Sequence, residues 1–395
     1  MNIIILTDRY HPNPVSSAIL AYDLAIELNQ QGHNVFVLTA DSKLDCEYTI
    51  SKEEGINIIR VRAQNQKKLS KPRRLIFELF LQKKIWNIYK NNKETISFDL
   101  LIAQSPTIFW SFLIKKLKGE YQQISVYLIL RDIFPKWAVD TGIISKFNPI
   151  YWFLRWHEKK LYNQVNIIGV QSASNLEYFS KKKEKFDLEI LYNFKKIGQK
   201  ETSVSNIRKD LNIENKVIFV FGGNLGYAQD IDNILRLVKS FKEDERIHFL
   251  LIGEGTEYKK IESFINLHST KTLTLLPAVS DSDYQAILKE CDVGIISLRR
   301  SFKTDNFPNK ILNYMEYNLP ILASINPGNE LRLLIEKNHN GLVSDNGQDD
   351  LFIENANILL NNQSKRNEMG LNGYYTLKKY FDVSSAVKQL TKIEY

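Results

Sequence analysis

Short, uninterrupted runs rich in Ile, Val and Leu alternate with longer amphipathic stretches along nearly the whole chain. This alternation constrains the fold more than any other feature. Ile3–Leu6, Val35–Thr39, Asn57–Val61, Leu100–Ala103, Ser125–Leu130 and Ile167–Val170 form one series. Val217–Phe221, His248–Ile252, Leu273–Leu276, Val293–Ile296, Ile321–Ala323 and Leu342–Val343 form a second. A strand with one wet face alternates apolar and polar residues. These runs mostly do not, which predicts strands covered on both faces. Between the first two, Leu20, Leu24, Ala25 and Leu28 share a helical face that stops at Gly32, a residue suited to a left-handed C-terminal cap. Strand, helix and strand in that order make a βαβ unit with parallel pairing. The pattern fades into Lys, Gly, Ser, Thr and Asn around 193–206, the expected linker. Two βα series of similar size predict an α/β chain of two Rossmann-like, doubly wound domains facing a cleft.

Several function classes fall away early. The 395 residues agree with two or three domains. No run of 18 apolar residues occurs, so no membrane-spanning helix is expected. Met1–Leu6 has no basic flank and reads as a buried strand, not a signal peptide. Cys46 and Cys291 stand in no motif, and the histidines never fall three or four apart. A disulfide framework and a helical two-histidine metal site are therefore not expected, and a reducing cytosol fits. Charge is uneven: residues 1–200 hold 30 Lys and Arg against 19 Asp and Glu, residues 201–395 hold 23 against 26. The two halves are expected to meet different partners.

In doubly wound sheets, ligands sit beyond the carboxyl ends of the strands, so the loops there are the ones to inspect. The first, Asp8–Ser17, lacks the G-x-G-x-x-G spacing of a dinucleotide site. Ser16 or Ser17 is expected to cap the next helix, with an anion at its free N–H groups as the functional reading. Arg131-Asp132 ends an apolar strand, either as a buried ion pair or as site chemistry. Gly222-Gly223-Asn224-Leu225-Gly226 allows close backbone approach to a phosphate or sugar, although many such turns need glycine only for their geometry. Gly253-Glu254-Gly255 repeats the arrangement with a weaker claim. The sharpest segment is Asp305-Asn306-Phe307-Pro308-Asn309-Lys310, followed by Asn313 one turn on. Pro308 suits a first helical turn, and Lys310 and the N–H groups there would face an anion. The bland alternative is a Pro-started helix with Lys310 in solvent. Asp281-Ser282-Asp283 imitates a metal-binding DxD, but acids opening a helix need no metal to explain them.

Residues 67–90 hold eight basic residues and one acid, interleaved with Leu75, Leu79, Ile85, Trp86 and Tyr89. Phe147–Tyr162 adds further aromatics. An anionic membrane surface is the expected partner, against the alternative of core aromatics with solvated lysines. No nucleic-acid-binding motif is present.

With these residues in view, the chain resembles the retaining family-four glycosyltransferases of GT-B fold. It is most similar to the bacterial surface-polysaccharide branch that includes N-acetyl-L-fucosamine transferase-like proteins. The marks are Gln31-Gly32-His33-Asn34-Val35, Arg131-Asp132-Ile133-Phe134-Pro135, Gly223–Gln229, Leu251–Gly255 and Pro308–Met315. The resemblance implies a nucleotide-sugar donor, here a UDP-sugar, on a C-terminal domain 198–378. It implies a lipid-linked glycan acceptor on an N-terminal domain 1–197, and a closing helix in 379–395 that returns to the first domain. It implies no cofactor and no metal, a cytoplasmic protein at the inner face of the plasma membrane, and work on O antigen, capsule or lipopolysaccharide. Carried over by position, Val279 holds the base, Gly223, Asn224, Leu225 and Gly226 approach the diphosphate, and Asn306, Phe307, Pro308 and Asn309 meet phosphate and sugar. Arg131, Asp132, Asp305 and Lys310 are the catalytic candidates. Ser16, Ser17 and Asn313 complete the donor site.

The chain departs from the family at four places. The family's paired glutamates fall at Asp305 and Asn313, its diphosphate-clamping Arg and Lys at Asn224 and Gln229, its histidine at Arg131, and its first-loop glycines at Ser16-Ser17. Two other readings therefore stay open: a catalytically weak nucleotide-sugar-binding partner subunit, and a soluble sugar-nucleotide epimerase on the same fold.

Overall fold

The continuous apolar runs are strands in a computed structural model, which describes residues 1–13, 15–64, 71–92, 96–105, 107–140, 142–180, 186–198, 204–301 and 308–392. The chain divides into two units, Met1–Lys196 with Val383–Tyr395, and Ile197–Asp382.

The first unit carries β1 (Asn2–Leu6), β2 (Asn34–Asp41), β3 (Tyr48–Glu53), β4 (Ile56–Arg62), β5 (Leu100–Gln104), β6 (Ser125–Leu130), β7 (Ile167–Val170) and β8 (Asp187–Ile190). Their order is β3-β4-β2-β1-β5-β6-β7-β8, parallel except for the β3–β4 pair. Strand order reverses between β1 and β5, the switch point where such sheets bind ligands. One face buries Ile4, Leu6, Leu101 and Val126 against Leu81, Ile85 and Trp110. The other buries Ile3, Ile5, Leu100 and Ile102 against Leu24, Leu28, Val387 and Leu390. Val387 and Leu390 come from the helix Val383–Leu390, which packs on the helix Ser16–Gln30.

The second unit carries β9 (Val217–Gly222), β10 (Ile247–Ile252), β11 (Leu273–Leu276), β12 (Val293–Ser297), β13 (Ile321–Ile325) and β14 (Gly341–Asp345). All pairs are parallel, in the order β11-β10-β9-β12-β13-β14. Here the reversal lies between β9 and β12. Phe219, Phe221, Phe249, Leu251 and Ile295 meet Ile234, Leu235, Val238 and Phe352 on one face.

One sequence expectation needs correction, and a second is narrowed. Neither Ser16 nor Ser17 caps its helix by a side chain: the cap position is Val15, whose N–H donates to Asn13 Oδ1 at 3.2 Å, and Ser16 is already helical. The basic stretch is the helix Lys71–Asn92. Where its side chains are described, from Phe77 on, most apolar ones turn inward: Leu81, Ile85, Ile88 and Tyr89 are buried in the first unit's core, while Phe80 is exposed. Of the interleaved residues, Ile85 and Tyr89 are core and Trp86 packs against it, while the side chain of Leu75 and residues 67–70 lie outside the described residues.

Candidate active site

The carboxyl ends of β9, β10 and β11 and the start of the helix Lys310–Glu316 enclose a cavity of about 620 Å³, a size common for small-molecule sites. β9 supplies Gly222, Gly223, Asn224 and Gln229; β10 supplies Ile252, Gly253 and Glu254. Ala278, Val279, Asp281 and Tyr284 follow β11, and Pro308, Asn309, Lys310 and Asn313 close the remaining wall.

The two glycine loops stack backbone on backbone. Leu225 N donates to Glu254 O at 2.8 Å, and Glu257 N donates to Leu225 O at 2.9 Å. Gly253 sits at φ +151°, and a Cβ there would lie 1.8 Å from Gly223 O. At Gly223 the chain takes φ +107°, and among the described residues the one near neighbour of a Cβ there would be Lys310 Cε, at 3.9 Å. Among the described residues, bare backbone therefore faces the lysine. Behind them, Gly222 N donates to Tyr314 Oη at 3.2 Å, and a side chain at Gly222 would meet the Tyr284 hydroxyl at 2.0 Å.

Lys310 is half-buried. Its ammonium donates to Gln229 Oε1 at 3.1 Å and lies 3.4 Å from the centroid of the Phe221 ring. Burial pushes it well below the ordinary lysine range. Among the described residues it has no carboxylate within ion-pair distance. A cation held by an amide and a ring, beside open backbone, is ready for an anionic ligand.

Of the residues singled out from the sequence, Gly223, Asn224, Val279, Pro308, Asn309, Lys310 and Asn313 line this cavity. Leu225 is fully buried, and neither it nor Gly226 is in the wall. Asp305, Asn306 and Phe307 lie outside the described residues. Arg131, Asp132, Ser16 and Ser17 belong to the first unit, at the ends of its strands. There Arg131 N donates to Ser105 Oγ at 2.7 Å, and Arg131 Nη2 donates to Ser16 Oγ at 3.3 Å. Burial lowers the Arg131 guanidinium's proton affinity, opposed by Asp132 and Asp8, and raises the Asp132 carboxyl, opposed by Arg131. Among the described residues no cluster of three His, Cys, Asp or Glu could hold a metal.

Sequence reasoning placed Gln229 only as the family's clamping position, missed Tyr284 and set Asp281 aside, yet all three line the cavity. Ser280 Oγ caps their helix, Asp281–Leu288, by accepting from Asp283 N at 3.1 Å, and this cap turns Asp281 and Tyr284 toward the wall. It also missed Arg299, directly beyond β12. Arg299 Nε donates to Tyr227 O at 2.8 Å, its guanidinium stacks 3.7 Å from the Tyr227 ring centroid, and Nη2 stands 3.4 Å from Asp230 Oδ1. Asp230 holds φ +43°, and Asn346 Nδ2 donates to its Oδ2 at 2.8 Å. The loop carrying Asn224 and Gln229 is thereby clamped to the ends of β12 and β14. Each charge-assisted hydrogen bond of this kind is worth about 1.5–3 kcal/mol when buried and less at a partly wet site. Arg299→Ala is expected to weaken nucleotide binding about fivefold or more, by calorimetry. Unchanged affinity would show that the clamp does not shape the loop.

Comparisons with known proteins agree with the fold. Residues 203–376 match the family model described as glycosyl transferases group 1. Probable glycosyltransferase WbjE of Pseudomonas aeruginosa is 25% identical over 216 residues, 53% of this chain and 53% of that one. The chain thus spans about half the length of that relative. Among solved structures, Anabaena Alr3699/HepE in complex with UDP superposes at a TM-score of 0.67 with 15% identity, covering 99% of both chains. WaaG, a glycosyltransferase involved in lipopolysaccharide biosynthesis, does so at 0.64 with 12% identity, over 99% of this chain and 100% of that one. The fold is GT-B, and the chain is homologous to bacterial glycosyltransferases.

Proposed function

We propose that this chain is a retaining glycosyltransferase. It moves a sugar from a UDP-sugar to a lipid-linked glycan acceptor at the inner, anionic face of the plasma membrane, in bacterial surface-polysaccharide synthesis. The carrying observation is the Lys310 ammonium beside the bare backbone of Gly223 in a cavity of nucleotide size. HepE's complex with UDP supports the nucleotide, and WaaG's role supports the lipid-linked acceptor.

In this reading the second unit takes the donor and the first the acceptor. The base lies by Val279 and the diphosphate between Gly223 and Lys310. As the anomeric C–O bond breaks, its electron pair leaves with the diphosphate, whose growing charge Lys310 stabilises more in the transition state than in the ground state. Arg131 and Asp132, at the strand ends of the first unit, are further proposed catalytic residues. Asn313 takes ribose hydroxyls as a neutral amide.

The test is a panel of labelled nucleotide sugars with membrane extract and no added metal. Sugar entering the lipid fraction from one UDP-sugar is the expected result. UDP binding with no donor turned over would instead fit a partner subunit, and interconversion of a free nucleotide sugar would fit an epimerase.

A further inference from the structure

The helix Pro149–Tyr162 in the first unit has two unlike faces. Leu154, His157, Glu158, Leu161 and Tyr162 are buried. The other face and the turn before it leave large apolar groups in solvent: Phe147 is 95% exposed, Trp152 64%, Ile143 52%, Ile150 51% and Trp156 50%. Trp152 and Trp156, one helical turn apart, share a side. These residues are not spare core, because the core beneath is already filled. The His157 ring packs 4.7 Å from the Phe153 ring centroid and 4.8 Å from those of Phe109 and Trp156, so the helix presents its outer aromatics from a fixed base.

Along this stretch of chain the exposed charge has one sign. From 142 to 164 the only acid is Glu158, which is fully buried and paired with Arg155. Lys146, Lys159 and Lys160 are exposed, and the Lys160 ammonium lies 3.5 Å from the Trp156 ring centroid. Tryptophans flanked by lysines, with no exposed acid, match the boundary between lipid chains and anionic headgroups. A large exposed apolar patch otherwise has no place in water.

We propose that this face inserts Phe147, Trp152 and Trp156 into an anionic phospholipid surface, with Lys146, Lys159 and Lys160 at headgroup level. This deepens the membrane part of the reading above and rests on it for the biological setting. It names a different element from the basic helix Lys71–Asn92, whose described apolar side chains are largely core, and a different mode, insertion with charge assistance.

The experiment uses the full chain with phosphatidylglycerol–phosphatidylcholine vesicles, sedimentation at low and high salt, and brominated lipid to quench tryptophan emission. Sedimentation that persists at high salt, with quenching that disappears in Trp152→Phe/Trp156→Phe, is expected. The triple change Phe147→Ser/Trp152→Ser/Trp156→Ser should cut vesicle partition at least tenfold while UDP binding by calorimetry stays as in wild type. Absence of vesicle binding, complete release by salt, or undiminished partition of the triple variant would each overturn the proposal. Should vesicle binding and quenching hold while wild-type protein fails to bind UDP, the donor reading falls and this surface stands.

Discussion

Lys310→Met is expected to lower kcat/KM for the donor roughly ten- to a hundredfold, while leaving the ligand-free protein no less stable. A charge-assisted hydrogen bond to a diphosphate is worth about 1.5–3 kcal/mol, and each 1.4 kcal/mol is tenfold. Because leaving-group charge grows in the transition state, the loss should appear in kcat and not only in KM. Ligand-free, the same ammonium is a burden. It has Gln229 and the Phe221 ring but no carboxylate among the described residues, and burial depresses its proton affinity. The folded value is then below the unfolded one, so between the two the unfolded chain holds more protons and stability rises with pH. Methionine removes that penalty at similar shape. UDP restores the charged form, so affinity should fall as pH rises through the free protein's depressed Lys310 value, with proton uptake visible as buffer-dependent heat. The pH dependence should vanish in the methionine variant. Wild-type kinetics for Lys310→Met would remove the lysine from the phosphate site.

Gly253→Ala is expected to cause the largest loss of stability. The new Cβ would overlap Gly223 O at 1.8 Å, at a φ of +151° that L side chains rarely adopt. Strain and overlap together cost about 3 kcal/mol or more, a fall of roughly 6–12 °C in Tm for a unit of this size. Because relief must move Gly223 O, UDP affinity should fall with it. Gly370→Ala is the control. Its Cβ would meet Asn318 O at 1.9 Å, but Gly370 does not line the cavity. It should destabilise comparably and leave UDP affinity of the folded protein unchanged. Wild-type UDP affinity in Gly253→Ala would mean the two glycine loops do not hold each other.

Strands buried on both faces were legible because nearly every residue in them is apolar: Val217–Phe221 and His248–Ile252 pair in register within the second sheet. The strand Tyr48–Glu53 was not, since its sequence YTISKE buries no side chain fully. It is fixed by antiparallel pairing to β4 and by Arg60, which donates to Glu53 Oε1 at 2.6 Å and Oε2 at 2.7 Å. In the site, Pro308, Lys310 and Asn313 could be read from local helix chemistry. Tyr284 and Arg299 could not, because each acts through a partner far away in sequence, and Gln229 was visible only as the family's clamping position. The same gap applies to the basic helix: spacing shows that apolar residues share a face, not what covers that face.

The central claim is that the cavity under Gly223 and Lys310 takes a nucleoside diphosphate. Calorimetric titration of the wild-type chain with UDP in excess EDTA tests it most directly, repeated with Lys310→Met. The account predicts saturable binding without metal that the substitution weakens about tenfold or more. Binding that requires added Mn²⁺ or Mg²⁺, or equal affinity in the two proteins, would contradict it.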